Sequence, residues 1–276
     1  MRVVDHRLCH EDGSPYPYRN SPNVGGGLNP QYLVMHYTAG RSAEQSISWF
    51  TRSQARASAH LVIGRDGSIT QMVPFNRVAW HAGKSQWQSL SGMNQYSIGI
   101  ELDNAGTLTR SSDGLWRAWF GDPYEQRDVI EAVHKNDTQM RAWHLYTPQQ
   151  LFAALEVSNL IVQEYQLKDI LGHDDVSPGR KTDPGPAFPM ETFRSRLFGR
   201  EDDVEGESLY CTTELLNIRI GPGTEYEKLP VSPLPKETKL EIISSRGRWR
   251  EVEVIDEVNG EMDIVGWVHG RYITRC

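Results

Sequence analysis

The stretch Gly172-His173-Asp174-Asp175-Val176-Ser177-Pro178-Gly179-Arg180-Lys181-Thr182-Asp183-Pro184-Gly185-Pro186 places a histidine, a lysine and a carboxylate in one run punctuated by proline and glycine. Such punctuation keeps backbone out of helix and strand and leaves a loop able to present side chains to a ligand. Far upstream, Tyr32-Leu33-Val34-Met35-His36-Tyr37-Thr38 reads as a short buried strand with a second histidine near its end. His36 and His173 with one carboxylate of that loop make two imidazoles and one carboxylate. A catalytic zinc uses that complement when it keeps a fourth position for water.

The elements that must position these residues follow along the chain. Residues 1–30, rich in Pro, Asn and Gly and ending in Gly25-Gly26-Gly27, read as an irregular lead-in. After the first strand, Ile47 and Phe50 at helical spacing predict a helix from Ser42, its N-cap, to Arg52. Ala59 to Gly64 and Ile69 to Val73, joined by Arg65-Asp66-Gly67-Ser68, give a β-hairpin signal, and Ser97 to Leu102 predicts another strand. Thr147 as cap and Pro148 at the first helical position open a helix from Gln149 to Tyr165, with Leu151, Leu155, Leu160 and Ile161 as its apolar face. Residues 106–146 carry Trp116, Trp119, Trp143, Tyr124 and Tyr146 among charged residues, and read as either a lid over a site or a packing collar. A short helix is expected after Pro189. The acidic run 201–207 reads as a linker. Beyond it, Asn217 to Ile220, Lys239 to Ile243, Trp249 to Val254 and Gly266 to Val268 alternate apolar and polar residues, as in a small all-β barrel.

Length and composition bound the answer. At 276 residues with 38% hydrophobic content, the chain can build one large or two smaller domains. No apolar run approaches the roughly 18 residues of a membrane span, and Met1 to Cys9 lack the apolar centre of a secretory signal. The expectation is a cytoplasmic protein, or one released by a non-classical route. Cys9, Cys211 and Cys276 lie far apart without paired spacing, so free thiols are expected rather than a disulfide framework. Residues 201–276 hold 9 Lys/Arg against 16 Asp/Glu, within a net charge of −7, which argues against nucleic acid as partner.

Five motifs in order then carry a family resemblance: "LVMHYTAG" around His36, "SAHLVIGRDGSITQMV", "AWHAG" at Ala79 to Gly83, "SIGIEL" at Ser97 to Leu102, and "GHDDVSPGRKTDPGPAF" at Gly172 to Phe188. Together they resemble the zinc-dependent N-acetylmuramoyl-L-alanine amidases, which share a fold with the peptidoglycan recognition proteins, over roughly residues 30–195 apart from the 106–146 insertion. Residues 208–276, with "LNIRIGPGTEY" and "GWVHGRYI", resemble bacterial SH3-like domains. The resemblance implies a mixed α/β catalytic domain over residues 1–200, its central mixed β-sheet flanked by helices, then the linker and a small SH3-like barrel. It implies Zn2+ on His36, His173 and Asp183, Glu101 as catalytic acid and base, and Lys181 steadying the transition state. The expected partner is peptidoglycan or muropeptides, with the SH3-like domain binding cell wall or a protein. Trp80 and Asn94 are read as contacts to glycan or stem peptide, and Tyr37 as a cleft-lining residue, with packing as the alternative for all three. His60 and His81 are read as structural or cleft-lining. A non-catalytic muropeptide recognition module is the rival reading, and it would usually lack a zinc ligand.

Overall fold

The computed structural model describes residues 1–199, 209–262 and 264–276, and the chain divides into two compact units, Met1–Phe198 and Gly199–Cys276. The acidic run 201–207 lies outside the described residues.

The first unit is organised by a five-stranded sheet of β1 (Tyr32–Tyr37), β2 (Leu61–Ile63), β3 (Ile69–Gln71), β4 (Ser97–Leu102) and β5 (Asp169–Gly172), in the order β5-β1-β4-β2-β3. All neighbours run parallel except β2 and β3, so the sheet is mixed. Parallel strands at the middle of a sheet are buried on both faces and need nearly continuous apolar sequence. Accordingly Tyr32 to Met35 are all buried, and His36 is the first side chain of β1 that asks for a polar partner.

Alternation assigns the two faces. Leu33, Met35, Ile98, Ile100, Leu61 and Ile63 join the main core, packing with α2 (Pro148–Tyr165), which the Thr147 side chain caps by accepting from Gln150 N. The buried stripe of α2 is Gln150, Ala154, Val157, Ser158, Ile161 and Val162; Leu151, Leu155 and Leu160 flank it half-buried, one helical position away from the stripe read from sequence. The opposite face carries Tyr32, Val34 and Leu171 with Ala82, Met93 and Val176. His36 and Glu101 emerge on this second face, in register as neighbours on β1 and β4. The first helix, α1 (Ala43–Phe50), starts at its predicted cap, Ser42. The last helix spans Met190–Phe198.

Residues 1–30 are more ordered than a lead-in: Arg2–Val4 pairs with Arg7–Cys9, and Val24–Gly27 pairs with Arg77–Ala79. The 106–146 insertion is an antiparallel sheet of its own, ordered Pro123–Tyr124, Trp116–Arg117, Thr107–Arg110, Met140–His144 and Val129–Val133. Trp116, Leu108, Val129 and Ala142 fill its small core.

The second unit is a five-stranded antiparallel sheet in the order Ile264–His269, Trp249–Val254, Lys239–Arg246, Tyr210–Thr212 and Ile273–Arg275. Asn217 to Ile220 makes only bridges, through Arg219 to Lys228 and to Trp267, rather than the strand its alternation suggested. Cys211 and Cys276 are joined in a disulfide, and only Cys9 is free and buried. The expectation of free thiols is therefore corrected for two of the three. Sequence spacing gave no hint because the pairing of Cys211 with Thr274 on adjacent strands sets the proximity. Among the described residues, no helix is long and apolar enough to cross a membrane.

Candidate metal centre

The two histidines reach one point because parallel strands end at the same edge. His36 sits near the carboxyl end of β1, and His173 follows directly on Gly172, the last residue of β5, which pairs with Met35. Ligand sites in open α/β sheets form at such carboxyl edges. Asp183 returns to the same point on the loop that follows, tied down where Asp174 N donates to the Asp183 carbonyl at 2.8 Å.

His36 Nδ1 lies 2.9 Å from His173 Nδ1, and each lies 2.9 Å from Asp183 Oδ2. All three residues are buried. Their outer nitrogens settle the tautomers. His173 Nε2 donates to the Ala82 carbonyl at 3.0 Å, which leaves a lone pair on its Nδ1. His81 Nε2 faces the Ser97 carbonyl at 3.3 Å, so His81 Nδ1 is the acceptor for His36 Nε2–H at 2.9 Å, and His36 Nδ1 likewise carries a lone pair. Burial lowers His36 to about 4, so it stays neutral. Two lone pairs and a carboxylate oxygen therefore converge in a buried space, an arrangement that a cation relieves. A tetrahedral zinc with bonds of about 2.0–2.1 Å spaces its ligands by roughly 3.4 Å. The cluster meets that geometry after widening by about half an ångström.

Glu101 stands beside the cluster. Its Oε2 is buried without a hydrogen-bond partner among the described residues, and burial followed by the charge of Asp183 pushes its carboxyl up to about 8, against the pull of Lys181. Lys181 and Glu101 both line a cavity of about 580 Å³ that also takes in Tyr37, Trp80, His81 and Asp183. Tyr37 is fixed by a 2.7 Å hydrogen bond between its hydroxyl and Thr182 Oγ1. Trp80 is 38% exposed at the cavity wall. Asn94 is placed differently. Its Oδ1 accepts from His81 N at 3.0 Å and Ala82 N at 2.7 Å, so it shapes the loop behind the ligands, the packing alternative to a substrate contact.

His81, read from sequence as structural or cleft-lining, lines the cavity and bonds His36, and other participants take roles that sequence did not assign. His81 orients His36, and Gly99 makes room for it: a Cβ at Gly99 would stand 2.4 Å from His81 Cγ. Arg180 Nη2 donates to the carbonyls of Ala82 and Lys84 and to Ser177 Oγ at 2.7 to 3.0 Å, bracing the carbonyl that receives His173. The insertion contributes in two places. Trp119, 79% exposed, lines the cavity while its Nε1 donates to the Ala39 carbonyl at 2.7 Å. On the other side, His134 Nε2 donates to buried Asp174 at 2.8 Å, Lys135 pairs with Asp174 and Asp175, and Asn136 Nδ2 donates to the Asp174 carbonyl at 2.9 Å. Neither a lid nor a collar alone describes it.

Two imidazoles and a carboxylate at the carboxyl edge of a mixed sheet, with a half-buried glutamate alongside, form a donor set that could hold a single metal ion. The chain belongs to the N-acetylmuramoyl-L-alanine amidase family, whose pattern matches residues 26–186. It is similar to the 1,6-anhydro-N-acetylmuramyl-L-alanine amidase AmpD of Escherichia coli strain K12, at 36% identity over 141 residues, 50% of this chain and 57% of that protein. The N-acetylmuramoyl-L-alanine amidase A of Achromobacter lyticus is 39% identical over 183 residues, 65% of this chain and 90% of that one. A crystal structure of a selenomethionine derivative of AmpD superposes with a TM-score of 0.50 at 27% identity, covering 71% of this chain and 99% of that chain. The chain thus spans little more than half the length of the first of these relatives.

Proposed function

We propose that the protein hydrolyses the amide between the lactyl group of N-acetylmuramic acid and L-alanine in peptidoglycan or its muropeptides, with zinc held by His36, His173 and Asp183. The observation that carries this reading is the convergence of three buried donor atoms at 2.9 Å beside the unpartnered Glu101 carboxylate. When bound there, zinc polarises an amide carbonyl and lowers the pKa of water from about 16 toward about 7. Glu101 Oε2 takes a proton from the attacking water and returns it to the departing amide nitrogen. Lys181 sets a positive charge where the carbonyl oxygen becomes anionic. Tyr37, Trp80 and Trp119 wall the cavity where sugar and peptide lie, and the indole faces match pyranose rings. The complete ligand set with Glu101 favours catalysis over a non-catalytic recognition module.

Residues 1–200 are then the catalytic domain, 201–207 the linker and 208–276 an SH3-like domain that docks on cell wall. A second contact on a polymer raises the effective concentration of the first. The Cys211–Cys276 disulfide supports action in an oxidising compartment outside the cytoplasm, because thiol pools keep such bonds reduced in the cytosol.

Mass spectrometry of digested sacculi and soluble muropeptides tests the reaction: free stem peptides beginning with L-alanine are expected, and cleavage of any other bond refutes it. Exhaustive chelation should abolish turnover and zinc should restore it. Glu101→Gln should keep zinc and lower kcat by at least about 10²-fold.

A further inference from the structure

The second unit is acidic, yet three of its arginines line one concavity. Arg248, Arg250 and Arg271 converge on a concavity of about 550 Å³ together with His269 and Tyr272. The concavity is built rather than incidental. Gly247, at φ +59°, turns the chain between the strands Lys239–Arg246 and Trp249–Val254. Gly270 N donates to the Arg248 carbonyl at 2.8 Å, and a Cβ at Gly270 would lie 3.3 Å from that oxygen and 3.4 Å from Arg250 Cγ. Gly247 thus makes the turn, and Gly270 keeps the floor clear. Arg250 is aimed by donating Nη1 to the carbonyls of Gly247 and Trp249 at 2.9 and 3.0 Å. Arg248 and Arg271 line the same concavity as Arg250 and meet no carboxylate among the described residues. An aromatic wall flanks them: the His269 ring lies 5.3 Å from Trp249 and 5.6 Å from Tyr272.

Three guanidinium groups brought together in an acidic unit repel one another, and an anion relieves that repulsion. The planar guanidinium fork matches a carboxylate in a bidentate pair, while the adjoining aromatic wall suits the aliphatic part of a peptide better than a bare polyanion. We propose that this groove is a carboxylate-recognition site for a short peptide, separate from the metal centre. The choice of a wall stem peptide as that ligand rests on the proposed function; the carboxylate chemistry does not.

Amide chemical shifts of the full-length chain, titrated with the tripeptide L-Ala-γ-D-Glu-L-Lys, localise binding without reference to catalysis. Shifts are expected at 247–250 and 269–272, distinct from any at the metal centre. The same peptide with its carboxylates converted to carboxamides should bind this groove at least tenfold more weakly, as should the tripeptide to Arg248→Gln/Arg271→Gln. The Arg→Lys double variant should recover part of the loss. Unchanged spectra elsewhere show that the exposed substitutions leave the fold intact. Silence at these amides, equal binding of the carboxamide, or stronger perturbation by inorganic phosphate than by the peptide overturns the proposal. Because the readout is local binding, it stands or falls whether or not the first unit cuts the muramyl amide.

Discussion

A side chain at Gly99 would enter the space of the His81 ring, closer than non-bonded carbon atoms approach, so the glycine in "SIGIEL" is spatial rather than conformational. Gly99→Ala should displace His81, free His36 to rotate, and weaken zinc affinity about 10- to 100-fold, the usual cost of losing a partner behind a ligand. A competitive chelator titration reads this, and wild-type affinity would remove His81 from the ligand-orienting role. His60 gives a prediction in pH. Its Nδ1 accepts from Gly99 N and its Nε2 donates to the Arg77 carbonyl, so it must be neutral, and burial lowers it from 6.5 to about 4. A folded pKa below the unfolded one gives stability that is full above pH 6.5 and is lost as the pH falls from 6.5 to 4. The loss is on the order of 3 kcal/mol at its limit. Urea unfolding of the chelated protein between pH 7 and 4.5 should show it, with a shallower slope for His60→Gln. The three candidate ligands could be named because each lies in a family motif, and His81 was read there as structural or cleft-lining. Its bond to His36 and the space Gly99 leaves for it cross strands, and no local spacing records them.

At the scale of elements, the core strands and α2 were readable because apolar alternation and a Thr-Pro cap are local signals, whereas the insertion mixes aromatics with turns and hides its pairing. Its sheet works at two edges. Trp119 extends over the cavity, so Trp119→Ala should raise KM for a muramyl peptide several-fold while kcat and zinc content hold. If KM is unchanged, the indole is only tethered to Ala39. At the other edge His134 anchors Asp174, whose backbone holds Asp183. His134→Ala leaves a buried carboxylate short of a donor, at a cost of about 1–3 kcal/mol. Both thermal stability and zinc affinity should fall, and retention of full zinc affinity would show that the anchor is structural alone.

At the scale of the whole chain, the two units rest on different covalent chemistry. The Cys211–Cys276 bond closes a loop with a sequence separation of 65, which removes unfolded-state entropy worth roughly 4 kcal/mol. Cys211→Ser should lower the unfolding temperature of the second unit and leave hydrolysis of a soluble muropeptide untouched; lost turnover would show that the units fold together. With zinc at the proposed centre, a chelator should silence the first unit and spare the second, and a phosphine reductant should do the reverse. A dithiol, which both reduces disulfides and binds zinc, should disable both at once, leaving a chain without its metal or its cross-link.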